Sequence, residues 1–262
     1  MDSIVNGARI HYEREGAGMP LILLHAGVAD HRMWNPQVSA FSKHFDVIRP
    51  DFRGCGDSEL PAGAWNPRED VLALMDELQL KPAHLVGCSI GGGLALDFAL
   101  DHPERVSKLV LVGSGPSGQE DDPRHEHLFA EAMAAEESGD PDSINQADMN
   151  LWLDGPNRPR GYVAEPVRSL FREMNGKNIG VDWSKSPTVK LDPPAVKRLH
   201  EVTARVLVIV GDKDLQPLQE TADLMAESIS GARKAVIKDA AHLPNLEHPE
   251  EFNRLVLDFL LS

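Results

Sequence analysis

Five short, mainly apolar runs, Leu21–Leu24, Phe45–Arg49, Ala83–Cys88, Val106–Val112 and Arg205–Val210, are spaced along the chain. Each is four to seven residues long and stops at turn-forming residues, the pattern of a strand buried on both faces. Lys234–Ile237 supplies a sixth such strand. At the start, Asp2–Val5 and Arg9–Glu13 flank Asn6-Gly7, the dipeptide that suits a type I′ hairpin. Between the runs the period changes. Arg68–Leu80 places Val71, Leu72, Leu74, Met75 and Leu78 at helical spacing, and Gly91–Leu100 reads as a helix closed by His102-Pro103. Thr221–Ile229 and Glu250–Leu261 are two further helices, the last with Pro249 at its first turn.

Strands alternating with helices predict an α/β fold: a mostly parallel eight-stranded sheet with helices on both faces. From Gln119 to Leu191 the alternation stops, and the chain turns acidic, proline-broken and helical. The expected organisation is a core of residues 1–118 and 192–262 carrying a helical insertion, 119–191.

Composition narrows the options. A chain of 262 residues with 42% apolar and 26% charged residues is ordinary for a globular protein. A formal net charge of −15 excludes nucleic acid and anionic membrane as expected partners. Two cysteines, Cys55 and Cys88, form no disulfide framework and no metal-ligand spacing. No apolar stretch approaches a membrane span, and the N-terminus lacks a signal-peptide pattern, so a cytoplasmic location is expected. Oligomeric state cannot be read from these features.

In a doubly wound sheet, chemistry gathers on the loops beyond the carboxyl ends of the strands. Those loops hold His25-Ala26-Gly27, Cys88-Ser89-Ile90, Gly211-Asp212-Lys213-Asp214 and Ala240-Ala241-His242. Gly87-Cys88-Ser89-Ile90-Gly91 has the form G-x-S-x-G, a strand-to-helix turn that lifts the central side chain above the sheet. The residues two before and two after that side chain must be small, and only Ser89 is flanked by Gly87 and Gly91. Cys88 lies between Val86 and Ile90 and is expected in the core. Phosphate cradling fits the glycines poorly, because neither G-x-G-x-x-G nor Gly-Lys-Ser/Thr occurs here.

A serine nucleophile needs a base, and the base an orienting acid, in the chain order Ser, Asp or Glu, His. His242 is the downstream histidine in a loop after a late strand; His248, beside Pro249, reads as a solvated capping residue. Asp214, past the end of its strand, is the preferred acid, with Asp212 as alternative. An oxyanion would take backbone N–H groups from Ile90 and from Gly27 or Val28. His25 is expected to pack and hydrogen-bond within its loop. The insertion offers Phe129, Met133, Met149, Trp152, Leu153 and Phe171 as apolar groups for a pocket or for packing. Val28, Phe129, Met133, Trp152 and Leu243 are the candidate substrate contacts.

Assembled, these motifs resemble the α/β-hydrolase fold family, in its serine esterase and 3-oxoadipate enol-lactonase-like group. The likeness runs from Leu23-Leu24-His25-Ala26-Gly27 through Asp51-Phe52-Arg53-Gly54 and Gly87-Cys88-Ser89-Ile90-Gly91-Gly92 to Ala241-His242-Leu243-Pro244. It implies Ser89 as nucleophile, Asp214 as acid, His242 as base, and Gly27 with Ile90 as the oxyanion hole. It also implies no cofactor, and a helical cap formed by the insertion. Ala26 stands where the family usually has glycine. The expected activity is hydrolysis of a small-molecule carboxylic ester or lactone. Carbon–carbon bond hydrolysis, perhydrolysis and low-turnover ligand sensing are the alternatives on the same frame.

Overall fold

In a computed structural model describing residues 1–120 and 122–262, eight strands form one sheet. They are β1 (Asp2–Val5), β2 (Ala8–Gly16), β3 (Met19–Leu24), β4 (Phe45–Pro50), β5 (Ala83–Cys88), β6 (Val106–Val112), β7 (Arg205–Gly211) and β8 (Arg233–Ile237). The order across the sheet is β1-β2-β4-β3-β5-β6-β7-β8. β1 and β2 run antiparallel to their neighbours, and the six strands from β4 to β8 are parallel. The hairpin turns through Asn6 and Gly7, both at positive φ, as a type I′ turn requires.

The helices are α1 (Asn35–Phe41), α2 (Pro67–Glu77), α3 (Ile90–Asp101), α4 (Ala130–Ser138), α5 (Pro141–Asp148), α6 (Glu165–Asn178), α7 (Gln216–Ser228), α8 (Pro244–Glu247) and α9 (Pro249–Leu260). Apolar residues alternate between two core clusters along every central strand. On β6, Leu109 and Leu111 enter one cluster while Val110 and Val112 enter the other. On β7, Val206, Val208 and Val210 separate in the same way from Leu207 and Ile209. Each such side chain, taken fully out of water, contributes about 1.5–3 kcal/mol. One cluster packs against α2, α3 and α7, and the other against α9 and α6. This two-sided burial explains why the strands read as continuous apolar runs.

Some boundaries differ from the sequence reading. α7 starts at Gln216 and not Thr221, because Pro217 occupies its first turn. α1, seven residues opened by Trp34 and Pro36, has too few turns to leave a helical period. Between β6 and β7 the described residues contain helices and turns, with one isolated bridge from Trp65 to Thr188. Asp121, inside the expected insertion, lies outside the described residues. Among the described residues no helix is long and apolar enough to cross a membrane.

Candidate active site

β5 ends at Cys88, and Ser89 follows with φ +56° and ψ −122°, a backbone state that costs a non-glycine residue about 1–3 kcal/mol. The surroundings enforce it. A Cβ on Gly87 would strike the Gly91 carbonyl, and one on Gly91 would strike the carbonyls of Leu24 and His25. Ser89 N–H donates to Val112 O at 2.8 Å, while its own carbonyl accepts from Gly92 and Gly93. Ser89 is therefore held half-buried at the N-terminus of α3, above the centre of the sheet.

Cys88 belongs to the strand. It is fully buried in the cluster facing α9, and its thiol approaches the His242 carbonyl at 3.7 Å. Burial pushes that thiol well above the usual cysteine range. Cys55 is raised to about 12 for the same reason. Neither sulfur is a thiolate near neutrality.

β7 and β8 deliver the acid and the histidine. The Asp214 carboxylate is buried and accepts from Leu215 N–H at 2.8 Å. Its two oxygens lie 3.0 and 3.2 Å from His242 Nδ1, also buried. Nδ1–H is thus the donor, and Nε2, buried and bonded to none of the described residues, Ser89 included, keeps its lone pair. Asp212 takes other work: it accepts the Asp239 N–H at 2.6 Å and lies near Lys213 and Lys238. Asp214, not Asp212, is the acid beside the imidazole.

Gly113, at the end of β6, is a residue the sequence reading missed. A Cβ there would come within 3.0 Å of His242 Nδ1 and 3.1 Å of Asp214 Oδ2. It directly follows Val112, the residue paired with Cys88, so a glycine closing the strand next to the Ser89 strand was the available signal.

The loop after β3 lies against the elbow, since a Cβ on Gly27 would touch Ile90 Cδ1 at 3.3 Å. Among the described residues the amides of Gly27, Val28 and Ile90 donate to no backbone carbonyl. His25 is neutral and structural. Its Nδ1–H donates to Ala26 O at 2.8 Å while Nε2 accepts from Phe52 N–H at 3.0 Å, and burial lowers its pKa. Asn178, at the end of α6, clamps the loop by donating to Gly27 O at 3.1 Å and Ala29 O at 2.9 Å. No local pattern marks that asparagine in the sequence.

A second clamp holds the histidine loop. Glu247 accepts from Ala241 N–H at 2.8 Å and from Arg158 at 2.6 Å, and Arg158 also donates to Leu153 O, Asp154 O and Asp239 O. Burial raises the Glu247 carboxyl from 4.5 to about 7 against the pull of Arg158. His248 is no solvated cap: it is half-buried, and its Nε2–H donates to Asp239 O at 3.0 Å.

A cavity of about 860 Å³ opens between the helical segment and the start of α7. Phe129, Met133 and Trp152 line it, with Leu215 and Leu218. Neither Ser89 nor His242 is among its lining residues, but the Trp152 ring on its wall lies 4.6 Å from the His242 ring, tilted by 42°. Val28 and Leu243 do not line it. Leu243 is fully buried in the core cluster, so its side chain packs the fold and is removed from the candidate contacts. Met149, Leu153 and Phe171 are likewise core.

His11, His31 and Asp51 offer ligand atoms within 4.8 Å of one another. Asp51 is already engaged by His31 Nδ1–H, His31 N–H and Asp57 N–H, and His11 by Asp2 and Glu13. These bonds account for the cluster as a brace between β2 and the loops after β3 and β4.

The Alpha/beta hydrolase family pattern matches residues 21–255. The chain belongs to that family. This alpha/beta hydrolase is 31% identical to the 2-hydroxymuconate semialdehyde hydrolase of Pseudomonas sp. (strain CF600), over 98% of this chain and 92% of that protein. It is 30% identical to the carboxylesterase YbfK of Bacillus subtilis (strain 168), over 92% and 79% respectively. Its structure resembles the enol-lactonase from Burkholderia xenovorans LB400 with a TM-score of 0.80, 28% identity and full coverage of both chains.

Proposed function

We propose that this hydrolase cleaves a small carboxylic ester or lactone through an acyl-Ser89 intermediate. The observation that carries the reading is the buried His242, tied to Asp214 through Nδ1 and left with a free Nε2 lone pair. Ser89 Oγ attacks the carbonyl carbon as its proton passes to His242 Nε2. The Gly27 and Ile90 amides, free of other acceptors, take the oxyanion, each worth about 3–4 kcal/mol. On collapse, His242 returns the proton to the leaving alkoxide, which departs as alcohol or, in a lactone, stays tethered to the acyl group. Water then attacks the acyl-serine by the same route, releasing the acid and restoring Ser89. Asp214 keeps its charge throughout and holds the imidazole in the productive tautomer.

The cap reading for the helical segment rests on Trp152, which reaches His242 from that segment, and on the cavity beneath it. Carbon–carbon bond hydrolysis is the weaker reading, although one relative is named as a hydrolase of 2-hydroxymuconate semialdehyde. Among the described residues no lysine or arginine lines the cavity to meet a substrate carboxylate. The test is turnover of p-nitrophenyl esters of acyl length C2 to C12, with Ser89→Ala as control. Turnover abolished in the variant supports the reading; no turnover of any ester or lactone by the native protein refutes it.

A further inference from the structure

The cavity walls are chemically divided. Towards His242 they are apolar, with Trp152, Phe129 and the buried Leu215. The solvent-exposed part carries Glu120, Glu126, Glu220 and Asp122. Asp122 is paired with Arg124 at 2.5 and 2.8 Å. Among the described residues Glu120 and Glu126 have no cationic partner, while Glu220 accepts from Gln216 Nε2 at 2.8 Å through Oε1, turns Oε2 towards His125, and lies in the field of Arg124. The wall is therefore electronegative where a substrate enters.

His125 is an independent sign of a ligand. Its side chain is nine-tenths buried on the cavity wall, and its Nε2 makes no hydrogen bond. Glu220 Oε2 stands 3.6 Å from that nitrogen, too far to bond it directly, yet close enough for one donor group to reach both. The His125 N–H donates to Asp122 O at 2.9 Å, which fixes the backbone that carries the imidazole. With the proton on Nδ1, the imidazole presents Nε2 as an acceptor, and a group with two N–H bonds and a positive charge bridges that nitrogen and the carboxylate. A carboxylate at the same place would stand against the Glu220 carboxylate.

We propose that the substrate carries a primary or secondary ammonium on an aliphatic arm, seated between His125 and Glu220, with its reacting carbonyl towards His242. The proposal rests on the ester or lactone reading for the identity of the reacting bond, and on the cavity alone for its charge preference. The two are separable by measuring binding apart from turnover. Hexylammonium, hexanol and hexanoate are titrated into the full-length protein at low salt, read by tryptophan fluorescence and by the His125 imidazole resonance. Hexylammonium is expected to bind at least about tenfold more tightly than hexanoate, and the gap to shrink at high salt. Glu220→Gln, at a half-exposed position that tolerates the change, is expected to cut that preference several-fold. Glu227→Gln, on the same helix outside the cavity, is expected to leave it intact, which separates the site from the overall charge of −15. Hexylammonium that fails to bind, binds no better than hexanoate, or responds equally to both variants overturns the proposal. Charge-selective binding with no ester turnover overturns the hydrolytic reading alone.

Discussion

The strand-end loops and the helical segment between β6 and β7 position their residues by opposite means. At the strand ends the backbone does the work. Ser89 is forced to φ +56° by carbonyls that tolerate only glycine at 87 and 91, and Gly113 leaves space for the Asp214–His242 pair. The helical segment relies on buried polar side chains. Asp154 accepts two bonds of 2.7 Å from Arg168 along with the Gly161 and Val163 amides, and Arg158 and Asn178 reach from this segment to the loops of His242 and Gly27. Backbone constraints leave a short, regular trace in sequence, whereas long-range polar clamps leave none.

That contrast can be broken from either side. The largest effect is expected from Asp214→Asn. The amide would offer N–H to His242 Nδ1 and reverse the tautomer, so kcat should fall about 10⁴-fold while the melting temperature changes little. Rate retained within tenfold would remove Asp214 from the proposed triad.

Arg158→Ala should cost about 3–5 kcal/mol, because it strands the buried Glu247 carboxylate. The pH dependence has a definite sign. Glu247 is already raised from 4.5 to about 7 in the folded state, so its ionised form burdens the fold increasingly as pH rises through that window. The deficit of the variant, measured by urea unfolding, should be largest at pH 8 and smaller at pH 5. A pH-independent deficit would mean that Glu247 is not the group left unpaired.

Asn178→Ala should have the smallest effect of the three. Loosening the Gly27–Ala29 loop is expected to lower kcat about tenfold to a hundredfold with little change in KM. A rise in KM alone would place Asn178 in substrate binding instead.

The same division explains how much was legible beforehand. Two-sided burial writes itself as apolar runs, which is why the central parallel strands β3 to β7 follow from the chain, whereas the antiparallel β1 and β2 follow from the Asn6-Gly7 turn and β8 is an exposed edge strand. The elbow follows from the clearance Gly87 and Gly91 provide. Choosing Asp214 over Asp212 rests on loop length, and the structure gives Asp212 to the Asp239 amide. Leu243 went astray because adjacency to His242 in sequence does not decide which way a side chain points; the loop turns it inward. Asn178, Arg158 and His125 each act on residues tens of positions away, where no period or spacing exists to announce them.

The central claim is that the register of two glycines makes Ser89, and not its thiol neighbour Cys88, the nucleophile. A fluorophosphonate is incubated with the native protein near neutral pH, and the modified peptide is located by mass spectrometry. One label on Ser89, lost in Ser89→Ala and retained in Cys88→Ala, is the predicted result. A label on another residue, or none on a protein that turns over esters, would contradict it.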